Sequence, residues 1–413
     1  QGGRQRARCE ERGHDLAIEG MEGSAGGGEA DLGDLAGRDM DELLKHAVSS
    51  PEGRQTVGDQ MTTRRELLGS SAAALAGLVF AGCGLVPSAA AQPAPHRREV
   101  VVNGKRIRTI DCHAHCHVPE AMALMNLKET YPALVVSTDR IKLMDEQGID
   151  VEALSINPIF WYKAERDLAA QIVKLQNEKL AETCAQHKDR FVGLGSVALQ
   201  YPDLAAEQLE DSVKHLGLRG TLIGGSVNGE ELSDPRFHPF WAKAEQLGAV
   251  VFIHPQGTPE LAGRLKGNGV LSNVIGNPLE TTIALSHLIF EGTLDQFPGI
   301  KILAAHGGGY LPSYAGRSDA GCVTFPARCT KQLKLKPSQY LHRLYYDSMV
   351  FTPEGLRHLV AEVGLGQIVM GTDYPFPWTK TAVDHILDTP TLSDGDRAAM
   401  LGENAARLLN LSA

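Results

Sequence analysis

From residue 107 onward, short apolar runs alternate with amphipathic stretches, a pattern that predicts parallel strands wrapped by helices. The apolar runs at 107–113, 151–157, 191–199, 219–224, 250–254, 300–306, 344–349 and 367–372 read as eight strands. Stretches 139–148, 167–187, 203–216, 237–247 and 279–294 have helical spacing; in the second, Leu168, Ile172, Leu175 and Leu180 share one side. Further helices are expected after Pro353, near Thr381 and over 394–411. Eight strands separated by helices predict an α/β fold, a closed (β/α)8 TIM barrel over residues 100–413. An open doubly wound sheet is the alternative, but no strand leads into Gly-x-Gly-x-x-Gly.

The chain before the barrel reads differently. Residues 1–60 are rich in Gly, Asp and Glu without sustained apolar periodicity, so they are expected to be disordered, or an upstream extension if Met61 is the true start. Residues 61–91 resemble a twin-arginine export signal: Arg64 and Arg65, a small and apolar run over 70–82, then Ala89-Ala90-Ala91. That predicts an exported, periplasmic protein. The apolar run is short for a membrane span. Cys83 offers an alternative, a lipid tether.

Composition narrows the partners. The 413 residues are 43% hydrophobic with a formal charge of −10, enough for a large core and without an electrostatic footprint for nucleic acid or an anionic membrane. A small-molecule partner is expected. Seven scattered cysteines with no Cys-x-x-Cys pair indicate neither a disulfide scaffold nor a zinc ribbon. Cys112 falls opposite His113 by strand alternation and reads as a packing residue.

In a barrel of this kind reactive groups gather at the C-terminal strand ends. Strand one ends in His113 and His115, which alternation points the same way; strand five ends in His254, strand six in His306 and strand eight in Asp373. Taken singly, such a histidine caps a carbonyl and such an aspartate makes an Asx-turn. Taken together, three imidazoles and a carboxylate make an open shell for a divalent ion. His113, His115, His254 and Asp373 fill that shell, which leaves His306 as a free imidazole able to exchange a proton near neutral pH, with a further metal ligand as its alternative. Strand four supplies no lysine to bridge two ions, so one ion is expected.

At these residues the chain resembles the amidohydrolase superfamily, in the branch typified by aminocarboxymuconate-semialdehyde decarboxylase. The carriers, from about Ile110 to the C-terminus, are Asp111-Cys112-His113-Ala114-His115, Met144 to Asp150, Ile253-His254-Pro255, Asn277 to Thr282, His306 to Gly309 and Gly371 to Pro377. The resemblance implies zinc first, manganese second, on His113, His115, His254 and Asp373, with His306 as acid/base in a non-oxidative decarboxylation. Two proton routes stay open: His306 activates water, or Asp373 protonates the substrate carbon. Arg317 matches an arginine that binds the substrate carboxylate in this branch, with a structural salt bridge as its alternative. Asn157, Phe160 and Trp161 either line an apolar substrate wall or form a packed loop. Glu280 is most simply a helix-capping residue. Family members often dimerise, so a homodimer is expected, with Arg317 able to act across its interface.

Two departures touch the substrate. Between His117 and Asp139 the only basic residue is Lys128, where the typical decarboxylase has an arginine, and Gln256-Gly257-Thr258 replaces an aromatic after His254-Pro255. The expected function is therefore a carbon–carbon lyase acting on an aromatic or muconate-like carboxylic acid. A metal-dependent hydrolase or hydratase of a lactone, amide or ring-cleavage product is the second reading, and a non-catalytic exported metal- or ligand-binding barrel the third.

Overall fold

The computed structural model describes residues 97–412 apart from 130, 157–159, 268–269, 330–332, 377 and 379–380. The expectations for 1–60 and 61–91, for Cys83 and for Asn157 lie outside the described residues. Eight parallel strands form one sheet in chain order: β1 (Ile110–Cys116), β2 (Val151–Ile156), β3 (Phe191–Gly195), β4 (Gly220–Ile223), β5 (Val250–Ile253), β6 (Lys301–Ala304), β7 (Tyr345–Asp347) and β8 (Ile368–Val369). The chain beyond β8 returns to β1: Cys112 donates to the Met370 carbonyl and His115 to that of Tyr374, while Asp373 donates back to the His113 carbonyl. These bonds close the sheet into the (β/α)8 barrel and exclude the open doubly wound alternative.

Helices α1 (Thr138–Gln147), α2 (Arg166–Gln186), α3 (Pro202–Lys214), α4 (His238–Leu247), α5 (Asn277–Phe290), α6 (Ala315–Thr324), α7 (Pro353–Val363) and α8 (Ala382–Asp388) surround it. Their ends follow the sequence: Gly148 and Gly248 stop α1 and α4 in the left-handed conformation, and the Thr352 side chain caps α7.

Two apolar layers result from strand alternation. Leu154, Phe191, Val251, Ile302 and Tyr346 face outward into a layer shared with the helices. Ile110, Val151, Leu194, Leu222, Phe252, Leu303 and Val369 face inward. The C-terminal segment closes the floor, with Ala405, Leu408 and Leu409 joining the inner cluster and the Lys301 ammonium, at the start of β6, reaching the Leu408 carbonyl. Only glycine fits at 402, where a Cβ would sit 1.9 Å from the Arg108 carbonyl oxygen.

The observed strands stop earlier than predicted at their C-terminal ends: β3 ends at Gly195, β6 at Ala304 and β8 at Val369. The apolar text continues there, but the backbone turns out of the ladder, with positive φ at His306, Gly307 and Asp373. The predicted helix over 394–411 is broken into Asp394–Ala398, a π turn Ala399–Glu403 and Asn404–Leu408. Helix α6 was not expected; its sequence, Ala-Gly-Arg-Ser-Asp-Ala-Gly-Cys-Val-Thr, has too few apolar residues to show the period. Cys322 and Cys329 form a local disulfide at its end, a pairing the scattered cysteine spacing did not signal. No helix among the described residues is long and apolar enough to cross a membrane.

Candidate metal centre

A register shift in β1 aims two imidazoles at the barrel mouth. Asp111 pairs with Glu152 and Ala114 with Leu154, so Cys112 and His113 together oppose the single residue Ala153. Strict alternation from the inward Ile110 puts Cys112 in the inner cluster and would turn His113 away; the extra residue instead brings His113 to the same side, with Cys112 still a packing residue. His113 also faces inward, its ring edge-on to Phe252 at 4.9 Å.

The nitrogens and carboxylates converge there. His113 Nε2 and His115 Nε2 are 3.1 Å apart, and both lie 3.0–3.1 Å from Asp373 Oδ1. One ligand atom each from His113, His254, His306 and Asp373 lies within 4.8 Å of the other three. The structure therefore brings all five sequence-predicted residues together, and it groups His306 with the ligand atoms from which the sequence reading had separated it. Its Nε2 is 3.8 Å from Asp373 Oδ2.

Three of the four imidazoles are held from behind. His113 Nδ1 is 2.6 Å from Asp347 Oδ2, His115 Nδ1 is 3.0 Å from Ser155 Oγ, and His254 Nδ1 is 3.0 Å from the Pro255 carbonyl. Engagement of Nδ1 leaves Nε2 for the centre, the arrangement that orients metal ligands. Asp347 also accepts the backbone amides of His306 and Gly307, so one carboxylate fixes both β1 and the turn after β6.

Electrostatics fit a cation. Burial alone would lower the His113 pKa, but Asp373 and Asp347 outweigh it and raise it to about 10. Burial lowers His115 to about 4, with the His113 charge adding to it against the Asp373 hydrogen bond. Burial and the three neighbouring imidazoles hold His254 well below the ordinary range. Two imidazole nitrogens and a carboxylate oxygen with 3.0–3.1 Å edges match ligands around an ion with bonds of roughly 2 Å, and the donor set suits a divalent metal.

The remaining predicted residues fall elsewhere. Arg317 is exposed on α6 and makes no ion pair among the described residues, so the structural salt bridge is not formed. Trp161 is buried in the layer outside the barrel, as in the packed-loop alternative; Phe160 touches both layers and stacks on Tyr162 at 5.4 Å. Glu280 does not cap its own helix. It is buried and accepts the amides of Gln256 and Gly257, which ties α5 to the loop after His254. Burial pushes its carboxyl up to about 8 despite those bonds.

Sequence reasoning missed Asp347, Ser155, Tyr131 and Phe376. Asp347 ends β7, as His254 and His306 follow the ends of β5 and β6, so the strand-end rule could have found it. Phe376 lies 6.0 Å from the His115 ring and stacks on Tyr131 at 5.9 Å, a contact between distant segments with no sequence signal.

The amidohydrolase family model matches residues 110–411, the whole barrel. The chain belongs to the amidohydrolase family. Among curated members, it is 30% identical over 318 residues to the 2-amino-3-carboxymuconate-6-semialdehyde decarboxylase of Dictyostelium discoideum, covering 76% of this chain and 82% of that protein. Among solved amidohydrolase structures, 5-carboxyvanillate decarboxylase from Sphingomonas paucimobilis superposes with a TM-score of 0.69 at 26% identity, over 74% of this chain and 100% of that one. A dihydroxybenzoic acid decarboxylase from Polaromonas sp., with bound manganese and the inhibitor 2-nitroresorcinol, gives 0.64 at 27% identity, over 73% and 96%.

Asp347→Asn keeps the shape behind His113 but removes the charge. Metal affinity is expected to fall by about ten- to a hundredfold with the fold intact, as read by competition with a chelator and by circular dichroism. Unchanged affinity would show that Asp347 does not support the ligands.

Proposed function

We propose that this amidohydrolase is a metal-dependent carbon–carbon lyase that removes carbon dioxide, without oxidation, from an aromatic or muconate-like carboxylic acid. The observation that carries this reading is the buried triangle of His113, His115 and Asp373 with Asp347 behind it, at the rim where the barrel opens. The decarboxylases among its relatives support the same chemistry. His113, His115, His254 and Asp373 would hold one divalent ion. Imidazole-rich ligation favours zinc, and the manganese in the dihydroxybenzoic acid decarboxylase supports manganese as the second choice. When bound, the ion would supply Lewis-acid attraction for the substrate's oxygens.

The chain's own residues handle the proton. Loss of carbon dioxide leaves an electron pair on the substrate carbon, which a proton must take up. His306 is the group suited to bring it: its side chain is 16% exposed, against 5% for Asp373 and none for His113 or His115. It can therefore regain a proton from solvent between turnovers. The backbone bond from His306 to Asp347 anchors that residue beside the ligands.

The Val274, Ile283, Tyr314, Val323 and Phe325 side chains are exposed on α5, on α6 and beside them, the part of the surface that also carries Arg317. This apolar area supports a homodimer in which Arg317 meets the partner's surface. Sedimentation velocity of the full chain should give twice the monomer mass, and Val323→Glu should halve it; a monomeric wild type would end the proposal. The Cys322–Cys329 disulfide suits an oxidising compartment and supports export through residues 61–91. N-terminal sequencing of periplasmic protein is expected to begin near Gln92, whereas purely cytoplasmic material would overturn export.

The reaction is tested with the full chain loaded with manganese or zinc, incubated with hydroxybenzoates, carboxymuconates and lactones and followed by mass spectrometry. A metal-dependent loss of about 44 mass units is expected, while a gain of about 18 would assign a hydrolase or hydratase at the same metal site. His306→Ala is expected to keep one ion per chain and lose about a hundredfold or more in kcat; full activity would remove its proton role.

A further inference from the structure

We propose that Glu280 is a positioning residue for His254: through the Pro255–Gln256 peptide its buried carboxyl fixes the direction of that imidazole, an assignment that rests on the reading of His254 as a metal ligand.

The three ligand imidazoles are supported differently. His113 has the Asp347 carboxylate and His115 the Ser155 hydroxyl, both carried by strands. His254 Nδ1 instead lies 3.0 Å from the Pro255 carbonyl oxygen, a main-chain group in the loop after β5. The ladder holds the His254 backbone, whose amide donates to the Ile223 carbonyl at 2.9 Å, but it does not set the ring. A loop carbonyl keeps its direction only if its own peptide is pinned.

Glu280 pins that peptide. The Gln256 N–H, which belongs to the same peptide group as the Pro255 carbonyl, donates to Glu280 Oε2. A trans peptide is planar with its N–H and C=O opposed, so aiming the N–H at Glu280 aims the carbonyl back toward His254. Donation by the N–H also strengthens the carbonyl as an acceptor. The Gly257 amide donates to the same Oε2 at 2.6 Å, so one oxygen holds two successive peptides.

The setting of Glu280 suits this role. It sits in the first turn of α5, a helix anchored by buried Ala284, Leu285, Leu288 and Ile289. Thr282 in the same turn accepts the Tyr310 amide at 2.8 Å, so the turn also grips the chain that follows His306. The side chain passes Gly225 so closely that a Cβ there would lie 2.7 Å from Glu280 Cγ. No cationic side chain pairs with it among the described residues. A buried carboxyl without an ion pair is costly to keep, and what this one orders is the loop that supports His254. A neutral carboxyl still offers a carbonyl oxygen to the two amides.

The test loads the full chain with cobalt(II), whose visible absorption bands report the ligand geometry, and measures affinity by competition with a chelator. Glu280→Ala is expected to weaken cobalt binding by about ten- to a hundredfold and to shift the bands, with native circular dichroism. Glu280→Gln keeps one carbonyl oxygen at full reach and should recover most of the affinity and the wild-type bands. Glu280→Asp keeps the acid but draws it back by one methylene and should not. If Glu280→Ala does not fold, the Gln and Asp variants decide by the same readouts. Leu285→Ala, which loosens the same helix, should lower Tm and leave affinity and bands unchanged. Wild-type binding in Glu280→Ala, a Gln variant no better than Asp, or an equal loss in Leu285→Ala would overturn the assignment in favour of a purely structural role. His254→Ala separates the two readings. Unchanged affinity there would remove His254 from the ligands and the role of Glu280 with it, whereas a loss there beside an unaffected Glu280→Ala would overturn the role of Glu280 alone.

Discussion

Two carboxylates, Asp347 and Asp373, are buried on either side of one imidazole, and the rest of the site is arranged around the charge they place inside the protein. Buried charge is tolerated only when it is paired and hydrogen-bonded. Asp347 meets that demand with four groups: His113 and the amides of His306, Gly307 and Met349. Burial pushes the carboxyl of Asp347 up, but those partners outweigh it and leave it below the ordinary range. Asp373 has no comparable set of backbone donors among the described residues; its partners are the imidazoles that face the centre. The asymmetry separates their tasks: Asp347 supports, and Asp373 points at whatever cation occupies the centre.

Such a rim is affordable because the opposite end of the barrel carries the stability. The inner cluster and the C-terminal plug of Ala405, Leu408 and Leu409 are fully buried, and each large aliphatic side chain there contributes roughly 1.5–3 kcal/mol. At the rim the strands stop short and His306 and Asp373 adopt positive φ. Residues in that region persist only where surrounding bonds over-determine them. Here the His306 amide is held by Asp347, and the Asp373 amide by the His113 carbonyl.

How much of this was legible depended on the range of the signal. Alternation and helical spacing are local, so eight strands and most helices were readable, and the strand-end rule then gathered His113, His115, His254, His306 and Asp373. Where tertiary contacts override local text, the reading failed. The shift in β1 that turns His113 inward beside Cys112 depends on pairing with Ala153. Glu280 looked like a helix cap because its partners, Gln256 and Gly257, lie on another loop. Arg317 matched by position in a motif, and the structure leaves it on an exposed helix without an ion pair among the described residues.

A third layer behind the ligands explains why so little of the site rests on loops alone. Asp111 accepts the His113 amide and both the amide and hydroxyl of Thr372, so the ends of β1 and β8 share one carboxylate. Burial, with the Glu152 charge adding to it, pushes that carboxyl up to about 7 despite these bonds. Arg140, fully buried on α1, answers Glu152 at 2.6 Å, donates to the His115 carbonyl at 2.6 Å and sits 4.4 Å over the Tyr374 ring. A helix outside the barrel thereby grips both segments that carry His115 and Asp373. The ligands are consequently fixed by strands, a buried arginine and two buried carboxylates, while the aromatic wall of Tyr131 and Phe376 hangs on loop contacts. Loops can then change what the site recognises without moving the atoms that would hold the ion.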